Sequence, residues 1–329
     1  MIAHWPGATV DLPSGPLHVR RASATSSTAE RAVLLHGLGG GGPNWTDLMG
    51  LLRDRLDCAA PDLPGFGWSP PPATGAYTLT THVAAITELI ERDGPTPVHL
   101  LGNSLGGTVA TVLAATRPDL VRTLTLVSPA LPVLRPRLTN VHLPALAMPW
   151  VGRRLASRLA KVPLEHRMRA ALALTWADPS RIPPERLEWA TAEILRREAL
   201  EHDGPAMIGS LRSLMTAYLR PARWPLWRLA ARVQAPTLLV YGLLDRLVDP
   251  RTAYRAERTF PDARLVLLPD AGHVAQMEFP DVVATAVRRL VDEPRRPPRL
   301  PGRHGTAGAT RDARGGDGGE TPRGEVRGA

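Results

Sequence analysis

The sequence predicts an α/β architecture, a mostly parallel sheet flanked by helices and interrupted by a long helical insertion. Three observations predict it. Short apolar runs recur along the chain with helical patterns between most of them, and such alternation builds a parallel sheet covered on both faces. The alternation breaks between Ser128 and Ala235, a stretch of helical patterns and proline-rich turns with no convincing strand. It then resumes, so one sheet with an excursion fits better than two consecutive domains.

In chain order, strands are expected at 17–22, 32–36, 58–60, 98–101, 121–127, 237–241 and 264–268. Helical patterns occupy 45–56, 79–91, 105–116 and 280–291. Residues 1–129 and 233–292 are therefore read as two parts of one core, and 130–232 as a helical cap inserted between them. From 293 to 329 the chain turns to Pro, Arg, Gly, Asp and Thr with almost no large apolar residues. Such a tail cannot bury enough surface to offset its ordering entropy and is expected to be disordered.

The most informative residue is Ser104, in the run Gly102-Asn103-Ser104-Leu105-Gly106 directly after the apolar stretch 98–101. A Gly-x-Ser-x-Gly between a strand and a helix makes a turn so sharp that the serine backbone is strained. The flanking glycines let strand and helix approach, and the hydroxyl is held out at the end of the sheet.

Composition removes several other function classes. The formal charge of +9 resides entirely in residues 130–232, where 17 Lys and Arg face 8 Asp and Glu, and Lys161 is the sole lysine. A bias to arginine of that kind is not a phosphate-binding stripe, so no nucleic-acid partner is expected. Cys58 is the only cysteine and the histidines are scattered, so neither a disulfide nor a metal site is expected. With no leader segment and no apolar run long enough to span a bilayer, a cytoplasmic protein without membrane insertion is expected. The glycines 37–42 satisfy the dinucleotide pattern Gly-x-Gly-x-x-Gly, with Asp57 or Asp62 beyond. Four consecutive glycines meet that pattern almost automatically, and no phosphate-loop lysine follows, so no cofactor is expected.

Four segments together resemble the α/β-hydrolases with a helical cap, in that family's order. They are His36-Gly37-Leu38-Gly39-Gly40; Pro61 to Ser69; the serine elbow; and the pair Gly242-Leu243-Leu244-Asp245 with Gly272-His273. The resemblance implies a triad of Ser104 as nucleophile, His273 as base and Asp245 as the acid that orients it. Asp249 is the fallback acid, while Asp270 shapes a turn. The resemblance also implies an oxyanion hole made by the backbone N–H groups of Leu38 and Leu105, with Gly39 the alternative to Leu38. Asp62 is read as holding its loop, and His36 as packing beside the site.

The cap holds Trp150, Trp176, Trp189, Trp224 and Trp227, and residues 150–162 read as a basic amphipathic helix. These residues either pack the cap onto the core or line an apolar pocket with a basic rim. The expected activity is hydrolysis of carboxylic esters of small to medium apolar substrates through an acyl-enzyme. Activity should then fall as His273 becomes protonated. Runs 102–107 and 272–278 also resemble the carbon–carbon bond hydrolases of aromatic ring-cleavage products. Val274 stands where those carry an aromatic residue, and no single cap arginine can be chosen for a substrate carboxylate. A catalytically idle receptor on the same fold is the remaining alternative.

Overall fold

The computed structural model describes residues 3–132, 154, 158, 161–219 and 225–293. Eight strands form one sheet in the order β1-β2-β4-β3-β5-β6-β7-β8. They are β1 (Gly7–Val10), β2 (Leu17–Ala22), β3 (Glu30–Leu35), β4 (Leu56–Pro61), β5 (Val98–Asn103), β6 (Val121–Val127), β7 (Thr237–Gly242) and β8 (Ala263–Leu268). From β4 to β8 every pairing is parallel, while β1 and β2 extend the β4 edge in antiparallel fashion.

The period-2 alternation of the strands divides the core into two layers. Along β3, Val33 and Leu35 enter one layer, and Ala32 and Leu34 the other. The first layer is covered by α2 (Leu79–Arg92) and α3 (Leu105–Thr116), the second by α1 (Thr46–Leu52) and, near the C-terminus, the helix Pro280–Val291. The central helix α3 is buried on every side from Leu105 to Ala115, which its Gly, Ala, Val and Thr content permits.

Between β6 and β7 the described residues form α4 (Leu164–Thr175), α5 (Pro184–Glu198), α6 (Asp203–Leu219) and α7 (Leu226–Ala230). The helix α8 (Thr252–Thr259) then links β7 to β8, and the short α9 (Ala275–Glu278) leads into α10, the helix Pro280–Val291. Most of the basic helix expected at 150–162, with Trp150, Trp224 and the expected tail beyond Glu293, lies outside the described residues. Among the described residues, no helix is long and apolar enough to cross a membrane.

Besides α8 and α9, which fall on none of the expected helical patterns, two elements differ from expectation. Strand β1 is missed, because Gly-Ala-Thr-Val carries little apolar pattern and three of its four residues are exposed. The helix expected at 45–56 is shorter: Gly42–Trp45 is a 3-10 turn, and α1 stops at Leu52. Leu56 instead begins β4, where it packs into the second layer as a fully buried side chain.

Candidate active site

The strand order brings four loops to one place, the carboxyl ends of β3, β5, β7 and β8, which is where open parallel sheets bind ligands. Ser104 follows β5 with φ 51° and ψ −116°, a left-handed backbone for a residue with a Cβ. The strain is held by three backbone hydrogen bonds. Ser104 N–H donates to Val127 O at 3.1 Å, and Ser104 O accepts from Thr108 N at 3.1 Å and Ala130 N at 3.0 Å.

The glycines around it are required by space. A Cβ on Gly106 would lie 2.3 Å from Leu35 O and 2.5 Å from His36 O, main-chain atoms at and just beyond the end of β3. Gly106→Ala is therefore expected to destabilise the fold by about 3 kcal/mol. Gly204, with nothing within 4 Å of its Cβ position, is the control and should accept alanine without loss. Urea unfolding midpoints of the two variants check this contrast, and equal midpoints would contradict the elbow packing.

The turn after β3 runs alongside the serine. A Cβ on Gly37 would sit 3.1 Å from Ser104 Cβ and 3.0 Å from Asn103 Oδ1. Gly40 N–H donates to Gly37 O at 3.0 Å, which closes a turn with Leu38 and Gly39 at its centre, and Gly39 supplies the φ of +73°. Buried His36 underlies this turn: its Nδ1 bonds Gly37 O at 2.7 Å, and its Nε2 accepts Leu63 N–H at 2.9 Å. The pair of bonds fixes one neutral tautomer, and burial holds the imidazole below its ordinary pKa. Leu105 opens α3, so its N–H has no carbonyl partner within its own helix. The two expected oxyanion donors, Leu38 and Leu105, thus belong to segments that flank Ser104.

His273 and Asp245 are brought together. His273 Nδ1 lies 2.9 Å from Asp245 Oδ2, and both side chains are buried. Asp245 Oδ1 accepts the N–H groups of Leu247 at 2.8 Å and Val248 at 2.9 Å. Burial pushes the Asp245 carboxyl upward, but His273 and these two N–H donors outweigh it and leave the group below the ordinary carboxylate range. The fallback acid, Asp249, has another partner in Arg251, whose guanidinium bonds it at 2.7 Å. Asp270 is exposed. Asp62 is a loop holder: Oδ1 accepts Gly42 N–H at 2.6 Å, while Oδ2 accepts Trp68 N–H at 2.9 Å and meets His18 Nδ1 at 3.0 Å.

Three residues without a role in the sequence reading hold this arrangement. Asn103 Nδ2 donates to His273 O and to Val127 O, each at 3.0 Å, so the residue beside the serine also fixes the histidine loop. Arg197 of α5 donates to Gly39 O at 2.6 Å and to Asp203 at 2.7 Å, which ties the glycine turn to the inserted helices. Glu278 bonds the peptide N–H of Gly272. Only Asn103 carries a sequence signal, as an amide at the buried end of a strand.

A separate cleft opens beside the glycine turn, lined by Gly39–Gly41, Trp68, Trp189, Ile194 and Arg197. Neither Ser104 nor His273 lines it.

Comparison with known proteins follows the same outline. A family model described as the alpha/beta hydrolase fold matches residues 33–280. Lipase LipV of Mycobacterium tuberculosis is 31% identical over 274 residues, covering 83% of this chain and 96% of that protein. Haloalkane dehalogenase 2 of the same organism is 30% identical over 259 residues, covering 75% of this chain and 84% of its own length. Among solved structures, the 2-hydroxy-6-oxo-6-phenylhexa-2,4-dienoate hydrolase of Rhodococcus superposes with a TM-score of 0.70 at 23% identity. That match covers 87% of this chain and 99% of the other.

Proposed function

We propose that this chain, which belongs to the α/β-hydrolase fold family, is a carboxylic ester hydrolase that works through an acyl-enzyme on Ser104. The observation that carries this reading is the buried His273–Asp245 pair at 2.9 Å, on the loops that neighbour a serine held at positive φ. An aliphatic hydroxyl is a poor nucleophile at neutral pH and needs a base. His273 takes the Ser104 proton through Nε2 as Oγ attacks the ester carbonyl. Asp245 holds the proton on Nδ1 and stabilises the imidazolium that forms. The oxyanion is met by the N–H groups of Leu38 and Leu105, whose orientation is set before substrate arrives. His273 then protonates the departing alkoxide, and a water activated by the same imidazole releases the acid and restores Ser104.

The serine also separates this chain's chemistry from the activity named for one relative. Displacement of halide from a haloalkane by a serine oxygen would leave an alkyl ether, which offers no carbonyl for water to attack. Turnover of a bromoalkane, followed as halide release, is therefore expected to be absent.

The test is hydrolysis of p-nitrophenyl esters from acetate to palmitate, together with fluorophosphonate labelling of Ser104. Turnover with an optimum at short or medium chains, and a labelled serine, is the expected result. A labelled serine without ester turnover would point to carbon–carbon bond cleavage, and no label at all to an idle fold. Either outcome overturns the ester reading.

A further inference from the structure

We propose that Glu278 is a positioning residue which fastens the inserted helical segment to the catalytic histidine loop, so that the acyl-transfer step depends on the seating of the cap. The proposal rests on the ester hydrolase reading and adds to it a role for Glu278, the last residue of the run 272–278.

Glu278 ends the short helix α9, five positions after His273, and its side chain is buried. Its two carboxylate oxygens serve two different segments. Oε1 accepts Gly272 N–H at 2.7 Å, and Oε2 accepts Ala177 N–H at 2.9 Å, just beyond the C-terminus of α4. Between these bonds, His273 N–H donates to Thr175 O at 2.7 Å. The residues on either side of Trp176 therefore lie directly on the peptide that carries the catalytic imidazole. Gly272 records how close they come. A Cβ there would meet Ala177 N at 2.6 Å, Thr175 O at 2.8 Å and Glu278 Oε1 at 2.9 Å.

The acid loop grips the same corner. Arg246, next to Asp245, donates to Ala173 O and, at 3.2 Å, to Trp176 O. His273 itself and Arg246, the neighbour of Asp245, are thus both bonded to the stretch 173–177.

The chemistry favours a carboxylate at this position. Two N–H donors from separate segments converge on one side chain, and a carboxylate offers two acceptors with no donor. A glutamine would turn its NH2 toward one of them. Burial raises the Glu278 carboxyl above its ordinary range, and Asp245 adds to the rise, whereas the two N–H donors oppose it. A buried negative charge close to a second carboxylate is a costly way to hold a corner that neutral groups could hold. The two-sided acceptor is the gain that offsets this cost.

The test is a double-mutant cycle with Glu278→Gln and Ala177→Pro. The proline removes the cap-side N–H and sets its ring Cδ against Glu278 Oε2, so it breaks this link by contact as well as by loss of the donor. Trp176 before it is already extended at φ −99° and ψ 143°, as a residue preceding proline must be. Each variant, alone and combined, is assayed for kcat and KM on the best p-nitrophenyl ester, for the fluorophosphonate labelling rate, and for Tm. Each single variant is expected to lower kcat and the labelling rate about tenfold with KM within about twofold. The double variant should lose no more than either single one, since both break the same link. A fall in Tm with kcat and labelling rate unchanged, or two losses that multiply, would overturn the proposal. If the glutamine variant does not fold, the proline variant alone decides on the same readouts. A wild type with neither turnover nor label would instead overturn the ester reading, and this inference with it.

Discussion

Ser104→Ala is expected to lower kcat on the best ester by about 10⁴-fold or more while leaving the fold as stable as before. The two halves of this expectation come from different atoms. The hydroxyl oxygen is the nucleophile of the proposed reaction, and nothing else in the loop can replace it. The structural work of the residue is done by its main chain, which bonds Val127, Thr108 and Ala130. Alanine keeps the Cβ and hence the strain of φ 51°. Ser104→Gly keeps neither the nucleophile nor the strain, so it should be equally inactive yet more stable by about 1 kcal/mol. Ester kinetics and urea midpoints of the two variants check both halves. Retention of more than about one hundredth of wild-type turnover in either would exclude Ser104 as nucleophile.

The second large effect is a loss of stability in mild acid. His36 and His82 are fully buried and held below their ordinary pKa, His82 at about 3, with burial the main cause in each. The sign follows from linkage. In the unfolded chain these rings bind protons below pH about 6.5, whereas the folded protein keeps them neutral, so protons favour unfolding. Their contribution is complete above pH 6.5 and is lost progressively as the pH falls toward the folded values. Each histidine contributes a slope approaching about 1.4 kcal/mol per pH unit within that window. Asp62 and Asp245 are held below the carboxylate range and therefore act later, with stability lost only as the pH falls below about 4. Urea midpoints at pH 8, 7, 6 and 5 should be level at first and then fall. His82→Gln keeps a partner for Ser210, which bonds the histidine Nε2 at 2.9 Å, and should flatten the slope by one proton. A midpoint unchanged between pH 7 and pH 5 would show that these rings are not held neutral.

What could be read in the sequence depended on whether a residue acts within its own segment. Strands β2 and β6 and helices α3 and α10 coincide with their apolar runs, because local pattern and tertiary burial agree there. The elbow was legible because its glycines are demanded by atoms within a few positions or on the adjacent strand. The pairing of His273 with Asp245 is legible only through the family's order and motif spacing, since the two residues lie in separate loops. Arg197 and Glu278 were illegible for a different reason. Each reaches the backbone of a segment far away in the chain, at Gly39 and Ala177, and a backbone acceptor or donor leaves no mark on the sequence at the receiving end. One arginine among many in the insertion looks like the rest until its partner carbonyl is seen.

The absence of a side chain at Gly272 has a consequence for modularity. An insertion between two strands looks like an exchangeable part, and swapping it between related chains is an obvious way to change what they recognise. Here one part of the fit is made in main-chain atoms, at the corner Thr175 to Ala177, against a residue with no room to give. A graft that kept the helices but altered the path of those three residues would collide with the loop that carries His273. The portable unit is therefore the insertion together with its landing strip, residues 272–278, and natural or engineered diversification of this chain should find the two changing in concert.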